Sequence, residues 1–328
     1  MRPLRPCWIG LGVLPLAGCD GAQSALAPAG DQAEAIGRLW DLTLAVCVLV
    51  YVLVLLALAW ALRRRGRRRA TDERAMTKAL VAFVLFTGGT LTLLTVASFV
   101  TDRRLHAPVR DPLHVRITAS QWWWQVEYLS ADPSRQLTTA NELHLPVDRP
   151  VRIELATTDV IHSLWIPVLA GKQDLIPGHH NVLVVTPRHV GRYRGQCAEF
   201  CGLQHAHMAL DVQVDGTEDF AAWYAHQLQP APTPRSAGAN AGQRLFAASA
   251  CAMCHAIGGT DAGGRVGPDL THLASRRTLA AGALPLDRTR LAAWILDPQR
   301  YKPGTNMPQV PLQPQQLDQV TDYLMELQ

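Results

Sequence analysis

Two cysteines, two histidines and a methionine lie within one short run of the sequence, GQCAEFCGLQHAHM, at residues 195–208. Cys201 lies four residues after Cys197, His205 four residues further on, and Met208 three residues beyond that. A structural zinc site would need four good ligands, and a thioether is a poor ligand for zinc. A disulfide is a second alternative. Thiolate and thioether together favour copper, and two thiolates can bridge two ions, so the run predicts a binuclear copper centre that needs another imidazole.

A second motif, CAMCH, occupies residues 251–255. The C-x-x-C-H spacing is the pattern for covalent haem c attachment, with a redox dithiol as the alternative. Cys251 and Cys254 would form the thioether bonds, and His255 would be the proximal iron ligand. Met307, in KPGTNMP, is a suitable sixth ligand, because His/Met ligation raises the potential towards electron transfer. The competing sixth ligands are Met253, His272 and Met325.

The beginning of the chain has the pattern of an export signal: an arginine-bearing start, a short apolar stretch and then small residues. LAGC resembles a bacterial lipobox, which predicts a lipoprotein signal peptide over residues 1–18 and a lipidated Cys19. An ordinary signal peptide with an incidental cysteine is the alternative. Exported cysteines normally form disulfides. Both closely spaced pairs lie beside histidine, however, which favours metal or cofactor chemistry.

Two apolar segments in residues 19–112 are long enough to cross a bilayer, at about 39–62 and 79–101. Between them, RRRGRRRATDERAMTK holds eight basic and two acidic residues. The positive-inside rule places this loop in the cytoplasm. The part after residue 101 is then expected in the periplasm, outside a bacterial inner membrane. Because this loop accounts for the net charge of +4, no nucleic-acid partner is predicted.

Strand-like segments rich in β-branched and aromatic residues fill residues 113–228 and are broken by Pro, Gly and Asp. They predict an antiparallel β-sandwich that ends in a helix over 217–227. Residues 229–238, rich in Pro, Ala and Gly, read as a linker. Residues 239–328 are predicted to form a small all-α domain. Its helices are expected over 242–250, 286–296 and 314–327.

The run DVIHSLWIP supplies the additional imidazole at His162. Together with GKQDLIPGHHN, the cysteine run and the two spans, it resembles the cupredoxin-like copper A domain of cytochrome c oxidase subunit II. The resemblance implies that Cys197 and Cys201 are bridging thiolates, with His162 and His205 as terminal imidazoles, one on each copper.

The same resemblance implies weaker ligands. Met208 and the backbone carbonyl of Glu199 would be axial ligands, and the carboxylate of Glu199 would bind magnesium at the interface with subunit I. Two positions depart from the family pattern. His179 stands where the family usually has arginine, and Glu73 is a weak candidate for the family's proton-entry glutamate.

An aromatic run, SQWWWQVEY, resembles the family segment through which electrons arrive from cytochrome c, with Trp122 as the receiving residue. Alternation along a strand places Trp122 and Trp124 on one face and Trp123 on the other. A buried stripe of the sandwich is the alternative, and packing is the interpretation for Trp123. Residues 114–226 hold twelve acidic and eight basic residues, which suits docking of a cationic haem protein.

The C-terminal run GPDLTHL resembles class I cytochrome c, in which the carbonyl of Pro268 would hold the imidazole of His255. The whole chain is thus similar to the caa-type branch of haem–copper oxidases. This resemblance implies an electron-receiving subunit: a soluble cytochrome c or another periplasmic donor reduces haem c, and electrons continue through copper A to subunit I. Oxygen reduction, coupled to proton pumping, takes place in subunit I, and subunit III is a further partner. No catalytic residue is expected in this chain.

Two other functions stay open at this point. The copper A subunit of a nitric oxide reductase has a similar sequence pattern, because its catalytic chain is separate. A free-standing, membrane-tethered electron carrier is the second alternative. Quinol oxidase subunit II lacks the copper ligands, and nitrous oxide reductase needs a propeller domain for which the chain has no room.

Overall fold

A computed structural model describes residues 21–64 and 72–328. The predicted signal peptide, Cys19 and the centre of the arginine-rich loop lie outside the described residues. The membrane part consists of α1 (Asp31–Arg64) and α2 (Glu73–Leu105), which are long and apolar enough to cross a membrane. Both helices extend beyond the predicted spans. Polar residues continue each helix past its apolar stretch, and the Asp72 carboxylate caps α2 by accepting from Arg74 N at 3.0 Å.

Within residues 113–215, the strands form two packed five-stranded sheets. One has the order β3-β2-β1-β5-β8 and the other β4-β10-β9-β6-β7. Alternate residues of β1 and β2 are buried between the sheets, as the period of a strand requires. The strands are β1 (Leu113–Ser120), β2 (Trp123–Leu129), β3 (Leu137–Ala140), β4 (Glu142–Pro146), β5 (Val151–Thr157), β6 (His162–Trp165), β7 (Gln173–Leu175), β8 (Asn181–Val185), β9 (Gly191–Cys197) and β10 (Ala209–Asp215).

The predicted antiparallel β-sandwich is confirmed, with two pairings that depart from the antiparallel pattern. Strand β1 runs parallel to β5, and β4 runs parallel to β10. The reason is the path of the chain: after β3 it leaves the first sheet, adds β4 to the second, and returns as β5. Such crossovers between sheets bring strands that are distant in sequence together in the same direction. The remaining pairings are antiparallel.

Helix α3 (Thr217–Gln227) ends the sandwich, and the C-terminal unit begins with α4 (Ala237–Ala248). Helix α4 starts earlier than predicted because Ser236 caps it, accepting from Ala239 N at 3.0 Å. A short pair, β11 (Thr278–Leu279) and β12 (Leu284–Pro285), departs from the all-α prediction. The other helices are α5 (Cys251–Cys254), α6 (Arg288–Leu296), α7 (Pro298–Tyr301) and α8 (Pro314–Met325).

The core of the C-terminal unit forms where α4 packs across α8. Phe246, Leu291, Val320 and Leu324 are all at most 3% exposed. The helices approach so closely at Gly242 that a Cβ atom there would lie 2.0 Å from the Gln319 carbonyl oxygen. Only glycine therefore fits this crossing. The predicted organisation of membrane helices, β-sandwich and helical C-terminal unit is confirmed.

The segment between α3 and α4 follows the surface of the C-terminal unit. Its Ala231 N–H donates to Gly258 O at 2.9 Å, and Arg235 N–H donates to Glu326 Oε2 at 2.6 Å. The start of α1 and the residues just before it are attached in a similar way to the sandwich. There, the Arg188 guanidinium binds both carboxylate oxygens of Asp31, at 2.5 and 2.6 Å.

Candidate metal centre and haem cavity

The loop between β9 and β10 carries most of the predicted copper ligands. Cys197 is the last residue of β9, and Met208 immediately precedes β10. His205 lies between them, in a 3₁₀ turn over His205–His207. His162 reaches the loop because it begins β6, which pairs with β9 in the register Leu164↔Cys197. Two adjacent strands and one loop therefore position these side chains.

The sulfur and nitrogen atoms of these residues converge. Cys197 Sγ lies 3.7 Å from Cys201 Sγ and 3.8 Å from His162 Nδ1. Cys201 Sγ lies 3.6 Å from His205 Nδ1 and 3.9 Å from Met208 Sδ. A disulfide has an S–S length of about 2.05 Å, so the two sulfurs are not bonded. Each sulfur faces its own imidazole, and the sulfurs face each other.

The donor set fits copper. His162, Cys197, Cys201 and Met208 are 5% exposed or less. A sulfur and a nitrogen bound to one tetrahedral zinc ion, with bonds of about 2.3 and 2.0 Å, lie roughly 3.6 Å apart, so the observed separations of 3.6 and 3.8 Å suit a shared metal ion, and the donor types indicate which metal. Among the described residues, His162, Cys197 and Cys201 form a cluster whose ligand atoms are all within 4.8 Å of one another. Buried thiolates, imidazoles and a thioether are the ligands that copper prefers.

Hydrogen bonds favour a thiolate at this cluster. The hydrogen bond with Cys201 lowers the pKa of the Cys197 thiol, although burial opposes this, and the same pairing raises the pKa of Cys201. Burial alone would lower the pKa of His162, but its hydrogen bonds with Cys197 and Asp159 raise it overall.

Asp159 supports the cluster from outside and was not predicted from the sequence. Its Oδ1 lies 2.9 Å from His162 Nε2, the ring nitrogen that faces away from Cys197. A carboxylate on the second nitrogen fixes the tautomer and orientation of a metal-binding imidazole. Asp159 also accepts from Gln121 N–H at 2.7 Å. The position of an acid three residues before a candidate ligand was the available sequence signal.

Glu199 faces two different neighbours. Its carbonyl oxygen lies 3.1 Å from Cys197 Sγ, on the inner side of the loop. Its half-exposed carboxylate lies 3.8 Å from Lys172 Nζ, on the outer side. The carbonyl is thus near the sulfur cluster, whereas the carboxylate is partly exposed and pairs with Lys172.

A cavity of about 490 Å³ between the C-terminal unit and the sandwich is lined by the second set of predicted residues. His255 donates from Nδ1 to the Pro268 carbonyl oxygen at 2.7 Å, and burial lowers the pKa of His255. Its other nitrogen is therefore left with a lone pair for iron. Gly267 packs on the ring so closely that a Cβ there would lie 2.7 Å from His255 Cε1. The cavity is also lined by Cys251, Cys254 and Met307.

The competing sixth ligands are less well placed than Met307. The ring nitrogens of His272 lie 2.9 and 3.0 Å from the carbonyl oxygens of Gln328 and Gln229, so both are already engaged. Met325 packs against the helical core. Met253 borders the cavity but is 72% exposed.

Trp122 lies between the sulfur cluster and the cavity. Its indole Nε1–H donates to the Cys201 carbonyl oxygen at 2.8 Å, and its ring lines the cavity. The alternation prediction is confirmed, because Trp122 and Trp124 are buried and Trp123 is half-buried. The interpretation of Trp123 as packing alone is incomplete, since Trp123 also lines the cavity.

Buried polar contacts join the sandwich to the C-terminal unit, and none of them was predicted. Arg276 is 8% exposed; its Nη2 lies 2.7 Å from Asp269 O in its own unit and 3.3 Å from Thr139 Oγ1 of the sandwich. Its Nε lies 3.5 Å from Glu142 Oε1. Ala209 N–H, directly after the copper loop, donates to Ala281 O at 2.9 Å.

Comparison with known proteins agrees with this geometry. Residues 125–215 match the family described as cytochrome C oxidase subunit II, periplasmic domain, and residues 239–328 match the cytochrome c family. These matches and the donor sets define a class: a membrane protein with periplasmic domains for copper A and haem c that acts in electron transfer. A cytochrome c oxidase subunit 2 from Alkalihalophilus pseudofirmus is 30% identical over 326 residues, which cover 95% of this chain and 93% of the relative. The chain belongs to the cytochrome c oxidase subunit II family.

Further relatives cover less of the chain. A cytochrome c oxidase subunit 2 from Bacillus sp. (strain PS3) is 32% identical over 251 residues, 72% of this chain and 68% of the relative. The crystal structure of the periplasmic domain of subunit II of cytochrome oxidase from Bradyrhizobium japonicum is 28% identical, with a TM-score of 0.34. It covers 37% of this chain and 95% of that one. Family membership makes the chain a subunit of an oxidoreductase that works with partner oxidase subunits.

Proposed function

We propose that this chain is the electron-receiving subunit of a caa-type terminal oxidase in the respiratory chain of a bacterium. Electrons from a soluble cytochrome c or another periplasmic donor reduce haem c, pass to a binuclear copper A centre, and continue to subunit I for oxygen reduction. The observation that carries this proposal is the position of Trp122. One indole ring both lines the haem cavity and binds the carbonyl of Cys201.

Each candidate ligand then has a role in holding two copper ions. Cys197 and Cys201 would hold both ions through their thiolates, and His162 and His205 would supply the imidazoles. Met208 and the Glu199 carbonyl would be the weaker ligands. The bound pair supplies reversible one-electron exchange shared by both ions. The chain keeps water out, because these side chains are mostly buried.

In the C-terminal unit, the chain holds haem c covalently and sets its axial ligands. Cys251 and Cys254 would form the thioether links, and His255 and Met307, which both line the cavity, would be the iron ligands. Pro268 O fixes the orientation of the His255 ring through its 2.7 Å hydrogen bond. Buried imidazole and thioether ligands are typical of haem sites that transfer electrons.

The proposed setting is the bacterial inner membrane, with Cys19 lipidated, both helices spanning the bilayer, and subunits I and III as partners. Proton pumping belongs to the partner chains. The outer side of the copper loop supports contact with subunit I. Phe200 is 76% exposed beside the Glu199 carboxylate, which is the proposed magnesium ligand at that contact. Exposed apolar side chains next to a functional loop are typical of protein interfaces.

The test is metal and haem analysis of the purified membrane complex, combined with electron paramagnetic resonance and an assay of oxygen uptake. We expect a copper pair with a mixed-valence signal shared by both nuclei, together with one covalent haem c. A mononuclear copper signal, zinc, or a Cys197–Cys201 disulfide would contradict the copper A assignment. Reduction of nitric oxide without oxygen uptake would contradict the oxidase.

A further inference from the structure

Lys302 is a buried cation at the junction of the two periplasmic domains. Lys302 is only 2% exposed. The Nζ atom lies 2.6 Å from Trp122 O, 2.9 Å from His207 O and 2.9 Å from Ala280 O. These carbonyls belong to the turn before β2, to the copper loop and to the turn between β11 and β12. One ammonium group thus joins three segments from both domains.

The geometry around Nζ requires the charged form. Carbonyl oxygens only accept hydrogen bonds, and an ammonium has three N–H donors, one for each carbonyl. A neutral amine would leave one carbonyl facing a lone pair. Burial lowers the pKa of Lys302 to about 7, so keeping a cation here has a desolvation cost. A residue that only filled space would be apolar, and the charge therefore indicates a positioning role.

The segment that Lys302 begins is the loop that carries Met307. Gly304, at φ +86°, lies on the Trp122 ring: a Cβ there would be 3.3 Å from Trp122 Cη2 and 3.1 Å from Leu203 Cδ1. The preceding residue, Pro303, contacts the copper loop: Gln204 Nε2 donates to Pro303 O at 2.9 Å. The proposed iron-ligand loop is therefore packed directly on Trp122 and on the copper loop.

We propose that Lys302 is the positioning residue for electron transfer between the two domains of this chain. By holding the carbonyls of Trp122 and His207, it fixes the loop of the haem domain against the indole that contacts the copper loop. This inference rests on the proposed function, because it needs haem c and copper A at their assigned sites. Lys302 itself binds neither group.

The test is Lys302→Met in the full oxidase, a change that keeps an unbranched four-atom stem and removes the ammonium. Haem c is reduced with a light pulse from a photoreductant, and the transfer of the electron to copper is followed optically. We expect unchanged haem and copper spectra, an unchanged haem midpoint potential, and transfer slowed by about tenfold or more, since small displacements of reacting groups have large effects on rate. Arg300→Met, in the exposed part of α7, is the control and should transfer at the wild-type rate.

Wild-type transfer in Lys302→Met, with both spectra intact, would overturn the inference and leave the proposed function standing. Wild-type oxidase without the copper A signal or haem c would instead overturn the proposed function. A second measurement needs no variant: acylation of lysine amines in the native oxidase. Lys302 should stay unmodified in the native oxidase and should react once the oxidase has been unfolded in denaturant. If Lys302 reacts equally fast in the native and the unfolded oxidase, the domains separate and the inference is overturned. This measurement gives the answer even where the Lys302→Met variant does not assemble.

Discussion

The indole nitrogen of Trp122 donates a hydrogen bond of 2.8 Å to the carbonyl oxygen of Cys201. Cys201 is a proposed ligand of the copper pair, and the Trp122 ring lines the cavity around His255. The two sites are therefore linked through one side chain and one hydrogen bond, without an intervening strand. Gln121 also lines the cavity and donates to the same carbonyl at 2.7 Å, but Trp122 is the aromatic residue in contact with both sites, which makes it the first position to test.

Replacing Trp122 by phenylalanine removes the N–H donor and keeps an aromatic ring. We expect electron transfer from haem c to copper A to slow several-fold, with both centres retained, because the connection to the Cys201 carbonyl is lost. Photoreduction of haem c followed by optical detection of copper reduction measures this rate. Trp223→Phe is the control, since Trp223 packs on His144 away from the cavity. An unchanged rate in Trp122→Phe would show that electrons take another route.

Asp159 is predicted to raise copper affinity through His162. Gln121 N–H and Val160 N–H bind different oxygens of Asp159, so Asp159→Asn keeps an acceptor for one of them and removes the charge that faces the imidazole. We expect copper to be held about 10- to 100-fold less tightly, which is the usual effect of losing such a partner. Competition with a chelator measures the affinity. Asp211→Asn, whose carboxylate binds Arg192 instead, should retain copper normally, and equal retention by both variants would refute the role.

Met208→Leu tests the proposed axial ligand. The residue is 1% exposed, and leucine has a similar volume, so the fold should tolerate it. We expect both coppers to remain and the midpoint potential of the centre to rise, because the loss of a weak donor disfavours the oxidised state. A spectroelectrochemical titration of the oxidase measures the potential, with Met325→Leu as the matched methionine control. An unchanged potential would remove Met208 from the ligand set.

Gly242→Ala is predicted to destabilise the C-terminal unit. A Cβ atom at this position would overlap the Gln319 carbonyl at 2.0 Å and the Tyr323 Cβ at 2.9 Å, so α4 and α8 would have to separate. Overpacking of this kind typically costs about 1–3 kcal/mol. Thermal unfolding monitored by haem absorbance checks the effect. Gly263→Ala, which meets no atom within 4 Å, should unfold close to the wild-type temperature, and equal unfolding temperatures would contradict the packing argument.

Local patterns in the sequence were enough to predict the domain types and to group the candidate ligands. The run from Cys197 to Met208 is a single loop, so its spacing alone brought four donors into one prediction. Hydropathy indicated the two membrane helices in the same direct way. The parallel pairing of β1 with β5 could not be predicted, because it depends on how the chain crosses between sheets.

The contacts between the domains could not be predicted from the sequence either. Lys302 was visible as part of the KPGTNMP motif, but nothing local shows that it reaches the carbonyl of Trp122, which is distant in sequence. Arg276 and Glu142 approach each other for the same reason, through docking of complete domains. Asp159 is close to His162 in the chain, yet its role depends on which ring nitrogen faces Cys197.

The connection between the sandwich and the C-terminal unit has a consequence for the kinetics of electron delivery. Ala231 and Arg235 are hydrogen-bonded to the C-terminal unit, so the segment between α3 and α4 is not a flexible linker. The two domains therefore do not meet by diffusion at an effective concentration set by linker length. Transfer between the domains should therefore be first order and insensitive to ionic strength. Salt should affect only the separate, bimolecular encounter with the external donor.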